Sequence, residues 1–136
     1  NQIMAIKEES VTDQKNSLTV CLDNILRHAG ITRNTEYDLA QGKTAIQILE
    51  ENMTGVQVLD LSGCSLDAVL YYVNQDIPVL AILEDGEAVL VTGFNEFNVV
   101  ITEPSTGKLY KKGMNDATAW FAENGNHFIT YMRTEN

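Results

Sequence analysis

Residues 83–107 read LEDGEAVLVTGFNEFNVVITEPSTG, and the way this stretch pairs with itself decides the fold. Val89 and Val91 on the way in, and Phe97, Val99 and Ile101 on the way out, are apolar at alternate positions, with Thr92, Asn98 and Thr102 between them. Period-two alternation on both arms marks a β-hairpin with one face against a core. Joining the two apolar faces predicts a register with Gly93 opposite Phe97 and a turn of Phe94, Asn95 and Glu96. The same register sets Glu87 opposite Glu103 on the core-facing side. Cross-strand neighbours lie roughly 4.5–5.5 Å apart at Cβ, so two ionised carboxylates there would repel and raise at least one pKa. Such a pair suits acid–base chemistry or a hard cation, and is otherwise a solvated rim. Calcium or magnesium needs more oxygen ligands than the sequence places there, so no metal is expected.

Upstream of the hairpin, Pro78 opens a short apolar run through Ile82 that suits a central strand. Before it, Ser65 can cap a helix carrying Leu66, Val69, Leu70 and Val73, and Val56–Leu61 suits a short strand. Thr44 with Gln47 forms a capping-box pattern ahead of a helix that carries Ile46 and Leu49 and ends near Asn52. A short helical turn is expected between Arg33 and Gly42. The longest amphipathic helix carries Leu18, Leu22, Ile25, Leu26 and Ala29; Asn16 or Ser17 caps its start and Gly30 follows its end. Residues 1–12 are polar and expected to form an irregular lead-in. Downstream, Leu109–Lys112 can pair briefly, Asn115 or Asp116 can cap a helix with Ala119, Trp120 and Phe121, and Phe128–Met132 ends the fold as a strand. Helices first, then a mostly antiparallel sheet with one late helix, make an α+β domain whose sheet rests one face on the early helices.

The chain has 136 residues, 44% hydrophobic, with nine basic against nineteen acidic residues and a formal charge of −10. That length predicts one domain over residues 1–136. The charge argues against nucleic acid or an anionic membrane as the main partner, since both select basic patches. No run approaches the ~20 apolar residues of a membrane span. The sequence begins at Asn1 and its first Met is Met4, so it is expected to be a domain excised from a larger protein. Cys21 and Cys64 are too few for a disulfide scaffold and lack zinc spacing; one disulfide and two free thiols both remain open.

The segment PVLAILEDGEAVLVTGFNEFNVVITEPSTG resembles the second half of the bacteriocin-processing (double-glycine leader) peptidases, which have a papain-like cysteine peptidase fold. Pro78–Val79, Gly86, Val91–Thr92–Gly93–Phe94 and Pro104–Ser105–Thr106–Gly107 carry the likeness. HAGI (His28–Ile31) matches the end of the family's long first helix. The family's chemistry uses a Cys at the start of that helix, a His as base, an Asp to orient the His, and a Gln that donates to the oxyanion. Position by position, the Cys falls on Ser17, the His on Glu87 and the Asp on Glu103. Gln14 lies too close to Ser17 for the oxyanion role.

The resemblance therefore implies a papain-like α+β domain with a degenerate catalytic set and no cofactor. Its expected function is binding a peptide or a neighbouring protein domain in the old cleft, formed by Gln14, Ser17, Cys21, Gly86, Glu87, Glu103 and Pro104. Two rival readings are an active thiol hydrolase using Cys21 and a purely structural module. A bacterial source and a secreted or cell-surface setting are implied by the resemblance alone. His28 lies at the far end of the first helix and His127 begins the last strand, so neither is placed to serve as base. Cys64 precedes a helix start, which can lower a thiol pKa, but no His is near it in sequence.

Overall fold

A computed structural model describes residues 16–104 and 106–134. The lead-in at residues 1–12 and Gln14 lie outside the described residues. The described residues begin with three helices, α1 (Ser17–His28), α2 (Glu36–Ala40) and α3 (Ala45–Asn52), followed by β1 (Val56–Asp60) and α4 (Leu66–Val73). Then come β2 (Val79–Ile82), β3 (Ala88–Phe94), β4 (Asn98–Glu103), β5 (Lys108–Gly113), α5 (Met114–Glu123) and β6 (Phe128–Arg133). The strands form one sheet in the order β1-β6-β2-β3-β4-β5, with every neighbouring pair antiparallel. This is the expected α+β, papain-like architecture.

Local signals set most element ends. Asn16 Oδ1 accepts the Thr19 N–H at 2.8 Å and starts α1, while Gly30 takes a φ of 88° just past its end. Thr44 and Gln47 form the reciprocal capping box of α3, and Ser65 caps α4. The start of α5 differs from expectation. The helix begins at Met114 with no side-chain cap, not at Asn115 or Asp116, because β5 runs straight into it. The orphan Met114 N–H is satisfied instead by Phe97 O of the hairpin tip at 2.8 Å.

The centre of the sheet is buried on both faces, which explains why β2 reads as an unbroken apolar run. Leu80, Ala88, Leu90, Ile129 and Tyr131 point to one face and join Leu22, Ile25 and Leu26 of α1 and Ile48 and Leu49 of α3. Val79, Ala81, Val89, Val91, Val99 and Ile101 point to the other and join α4 and α5 around Phe121 and Phe128. The helix α1 packs against β2 and β3. Among the described residues no helix packs extensively on the same face of β4 and β5, where Val100, Thr102, Leu109 and Lys111 sit in register, with Leu109 64% exposed.

The hairpin register is the main correction. Leu90 pairs with Thr102 and Val91 with Ile101, and after an irregularity the ladder continues as Gly93–Val100 and Phe94–Val99. Gly93 is therefore not opposite Phe97, and continuing the ladder places Glu103 across from Val89 rather than Glu87. Registers two residues apart keep the same side chains on the same faces, so alternation alone does not separate them. Turn chemistry decides: Asn95 Oδ1 accepts the N–H groups of both Phe97 and Asn98 at 2.8 Å, and Asn95 N–H donates to Asn98 O. That Asn-centred turn, with an extra residue at Thr92 on the β3 side, advances β4 past the simple pairing.

Candidate functional site

The N-terminus of α1 abuts the start of β3. Ser17, the first helical residue, is 6% exposed. Its hydroxyl donates to Glu87 Oε1 at 2.8 Å and accepts the Ala88 N–H at 2.7 Å. One hydroxyl thereby joins segments 70 residues apart and satisfies the first backbone donor of β3. Glu87 is itself held by a turn in which Leu83 N–H donates to Glu87 O and Asp85 Oδ1 accepts the Glu87 N–H. Gly86 completes that turn with a φ of 88°, a conformation a side chain rarely adopts. A carboxylate at a helix N-terminus also meets the positive end of the helix dipole, so Glu87 is well placed electrostatically.

Glu103 belongs to a different network. Its Oε2 accepts from Tyr110 OH and its Oε1 from Thr106 Oγ1, both at 3.2 Å, while its backbone carbonyl accepts the Thr106 and Gly107 N–H groups. Burial first, and then the Glu103 charge and hydrogen bond, push the Tyr110 pKa up. By strand alternation from Ile101, Glu103 lies on the α4–α5 side of the sheet, whereas Glu87 reaches toward α1. Pro104 follows as part of the turn into β5. The structure thus brings Ser17, Gly86 and Glu87 together and leads Glu103 and Pro104 into a separate turn. Among the described residues no three His, Cys, Asp or Glu side chains gather as a metal site.

Cys21 lies one turn into α1 with no exposed surface, packed in the core with Leu22 and Ile25. Burial pushes its thiol up to about 12. Both cysteines are free thiols; Cys64 is half-buried against the α4–α5 core. His28 Nε2 donates to Asp76 O at 3.0 Å at the far end of α1, and His127 is exposed just ahead of β6. Asp23 was not singled out from the sequence. It is buried in α1 and accepts both the N–H and the hydroxyl of Thr35, tying the 31–35 segment to the helix. An acidic residue on the apolar edge of a helical stripe was the available signal.

Replacing Ser17 by Ala is expected to cost about 1–3 kcal/mol, because it leaves the buried Ala88 N–H without an acceptor. Glu87→Gln keeps the acceptor oxygen and should cost clearly less. Urea midpoints at unchanged slope measure both.

No family model and no curated protein matches this chain. Its structure is similar to a crystal structure described as that of a C39-like peptidase from Bacillus anthracis, with a TM-score of 0.73 and 15% sequence identity. The likeness covers 90% of this chain and 91% of that one. At that identity it shows the shared fold.

Proposed function

We propose that this chain is a non-catalytic relative of the bacteriocin-processing peptidases that binds an extended peptide segment or the strand of a neighbouring domain. One observation carries the reading. Where the chemistry of that fold needs a thiol beside an imidazole, a serine hydroxyl is committed to Glu87 Oε1 and the Ala88 N–H. A carboxylate is a weaker base than an imidazole and adds no positive charge, and among the described residues no cation is paired with Ser17 that would stabilise an anion. The thiol hydrolase reading loses support because Cys21 is buried and held protonated.

Binding is favoured over a purely structural role by the face that α1 leaves open. Beside the Ser17–Glu87 contact, β4 and β5 extend the sheet past the helix, and Val100 and the exposed Leu109 supply apolar contacts there. Lys111, opposite Val100 on the edge strand β5, gives this face of an otherwise acidic protein a local preference for acidic or neutral segments. Incubation with a mixed peptide library, followed by mass spectrometry and amide chemical-shift mapping, tests this directly. Intact peptides with shifts confined to the start of α1 and to β4–β5 are expected. Cleavage that stops on thiol alkylation would restore the hydrolase reading, and unchanged spectra would leave a structural module.

A further inference from the structure

We propose that a cavity at the opposite end of α1 is a binding site for a small apolar ligand ending in a carboxylate. The cavity has a volume of about 360 Å³ and opens between the C-terminal half of α1 and the adjoining β2–β3–β4 face. Its apolar lining comes from Leu90, Ile77 and Pro78. Its polar lining comes from Asn24 and Arg27 on the helix and from Thr92 and Thr102 on the strands. An apolar pocket with a few convergent polar groups is the usual form of a small-molecule site.

The charge of Arg27 selects the ligand. Its hydrogen-bond partner is the neutral Asn24 Oδ1 at 3.1 Å, and among the described residues it meets no carboxylate. Of the described ion pairs, His28 with Asp76 stands at the cavity's own edge, while Arg33 with Asp38 and Lys43 with Glu51 lie elsewhere. An arginine in the last turn of a helix complements the helix dipole without any ligand. That role does not account for the apolar cavity it borders, and a guanidinium beside an apolar pocket is a fork for a carboxylate.

The strand wall offers a second donor. Thr92 Oγ1 and Thr102 Oγ1 lie 2.9 Å apart and share one hydrogen. Two hydroxyls carry two hydrogens, so one remains to donate to a ligand oxygen. The remaining edge of the cavity is held rigid. Asp76 takes a φ of 65°, unusual for a residue with a side chain, and its carbonyl is fixed by His28 Nε2. The Asp76 carboxylate is 86% exposed and pairs with His28 at 3.5 Å. A cation with no carboxylate partner among the described residues matches a monoanion better than a phosphate dianion, which Asp76 and the net charge of −10 would repel more strongly.

The ligand could be a free apolar acid or the C-terminal residue of a peptide; both present the same chemistry. Ser17 and His28 are eleven residues apart on α1, about 16 Å along the axis, so although Thr102 borders both, shifts at Asn24 and Thr92 distinguish this site from the peptide groove. The test is amide chemical-shift titration at millimolar concentration with N-acetyl-leucine, N-acetyl-leucinamide and an acetylated pentapeptide ending in leucine. N-acetyl-leucine is expected to shift Asn24, Thr92 and Thr102 and to bind about tenfold tighter than its amide. Arg27→Gln, at an exposed position that should keep the fold, is expected to remove that preference. Tighter binding of the pentapeptide would identify a chain terminus as the ligand, and equal or weaker binding a free acid. No shifts in the cavity, equal affinity for acid and amide, or an Arg27→Gln protein that still prefers the acid would each overturn the proposal.

Discussion

Iodoacetamide is expected to alkylate Cys21 of the native protein about a thousandfold more slowly than an ordinary thiol near neutral pH. The thiolate is the nucleophile, and Cys21 is fully enclosed by the apolar stripe of α1 with its thiol pushed up to about 12 by burial. Peptide mapping by mass spectrometry over a pH series reads the rate at Cys21 and Cys64 separately. Fast labelling of Cys21 at or below neutral pH would mean a stabilised thiolate and would make this chain a hydrolase. The same shift has a stability consequence whose sign is fixed. A group with a raised pKa in the fold contributes fully below its unfolded value and loses that contribution as the pH rises toward its folded value. Wild-type stability should therefore fall from a pH of about 9 toward about 12, by up to about 1.4 kcal/mol per pH unit from this residue. Tyr110 and Tyr131, both with raised pKa values, add to the fall in any variant. The difference in slope between wild type and Cys21→Ala isolates the thiol.

A second large effect is expected at the start of α1. In a Cys64→Ser background, Ser17→Cys with Glu87→His should produce a thiol that titrates below pH ~7, within the range of thiols at helix N-termini beside a cationic imidazole. Ser17→Cys alone should titrate at least about two pH units higher, because Glu87 places a negative charge against the sulfur. Thiolate absorbance across a pH series measures both. Equal titration of the two variants would show that Ser17 and Glu87 do not stand where a nucleophile and its base could meet. Restored ionisation need not restore cleavage, since Glu103 is turned toward Tyr110 and Thr106 and is not placed to orient a base at Glu87.

Much of this protein follows from short-range spacing. The apolar stripe of α1, the Thr44–Gln47 capping box, the Ser65 cap and the unbroken β2 run each involve residues within a few positions of one another, and each lies where the sequence predicts. The likeness in residues 78–107 likewise pointed to the papain-like arrangement that the sheet adopts. The start of α5 was missed because its first N–H is met by Phe97 O, seventeen residues back in the chain.

The candidate site was only half legible. The resemblance read from the sequence assigns Ser17, Glu87 and Glu103 to the family's catalytic positions, with no histidine among them. Tertiary structure alone decided what those residues do. Glu87 and Glu103 read as a pair because an alternating hairpin is unchanged in its faces by a shift of two residues. The Asn95 turn and the irregularity at Thr92 then separate them. Ser17 meets Glu87, and Arg27 meets an apolar pocket, only because α1 lies along β3. That docking sums many weak contacts between residues distant in sequence, and no local spacing records it.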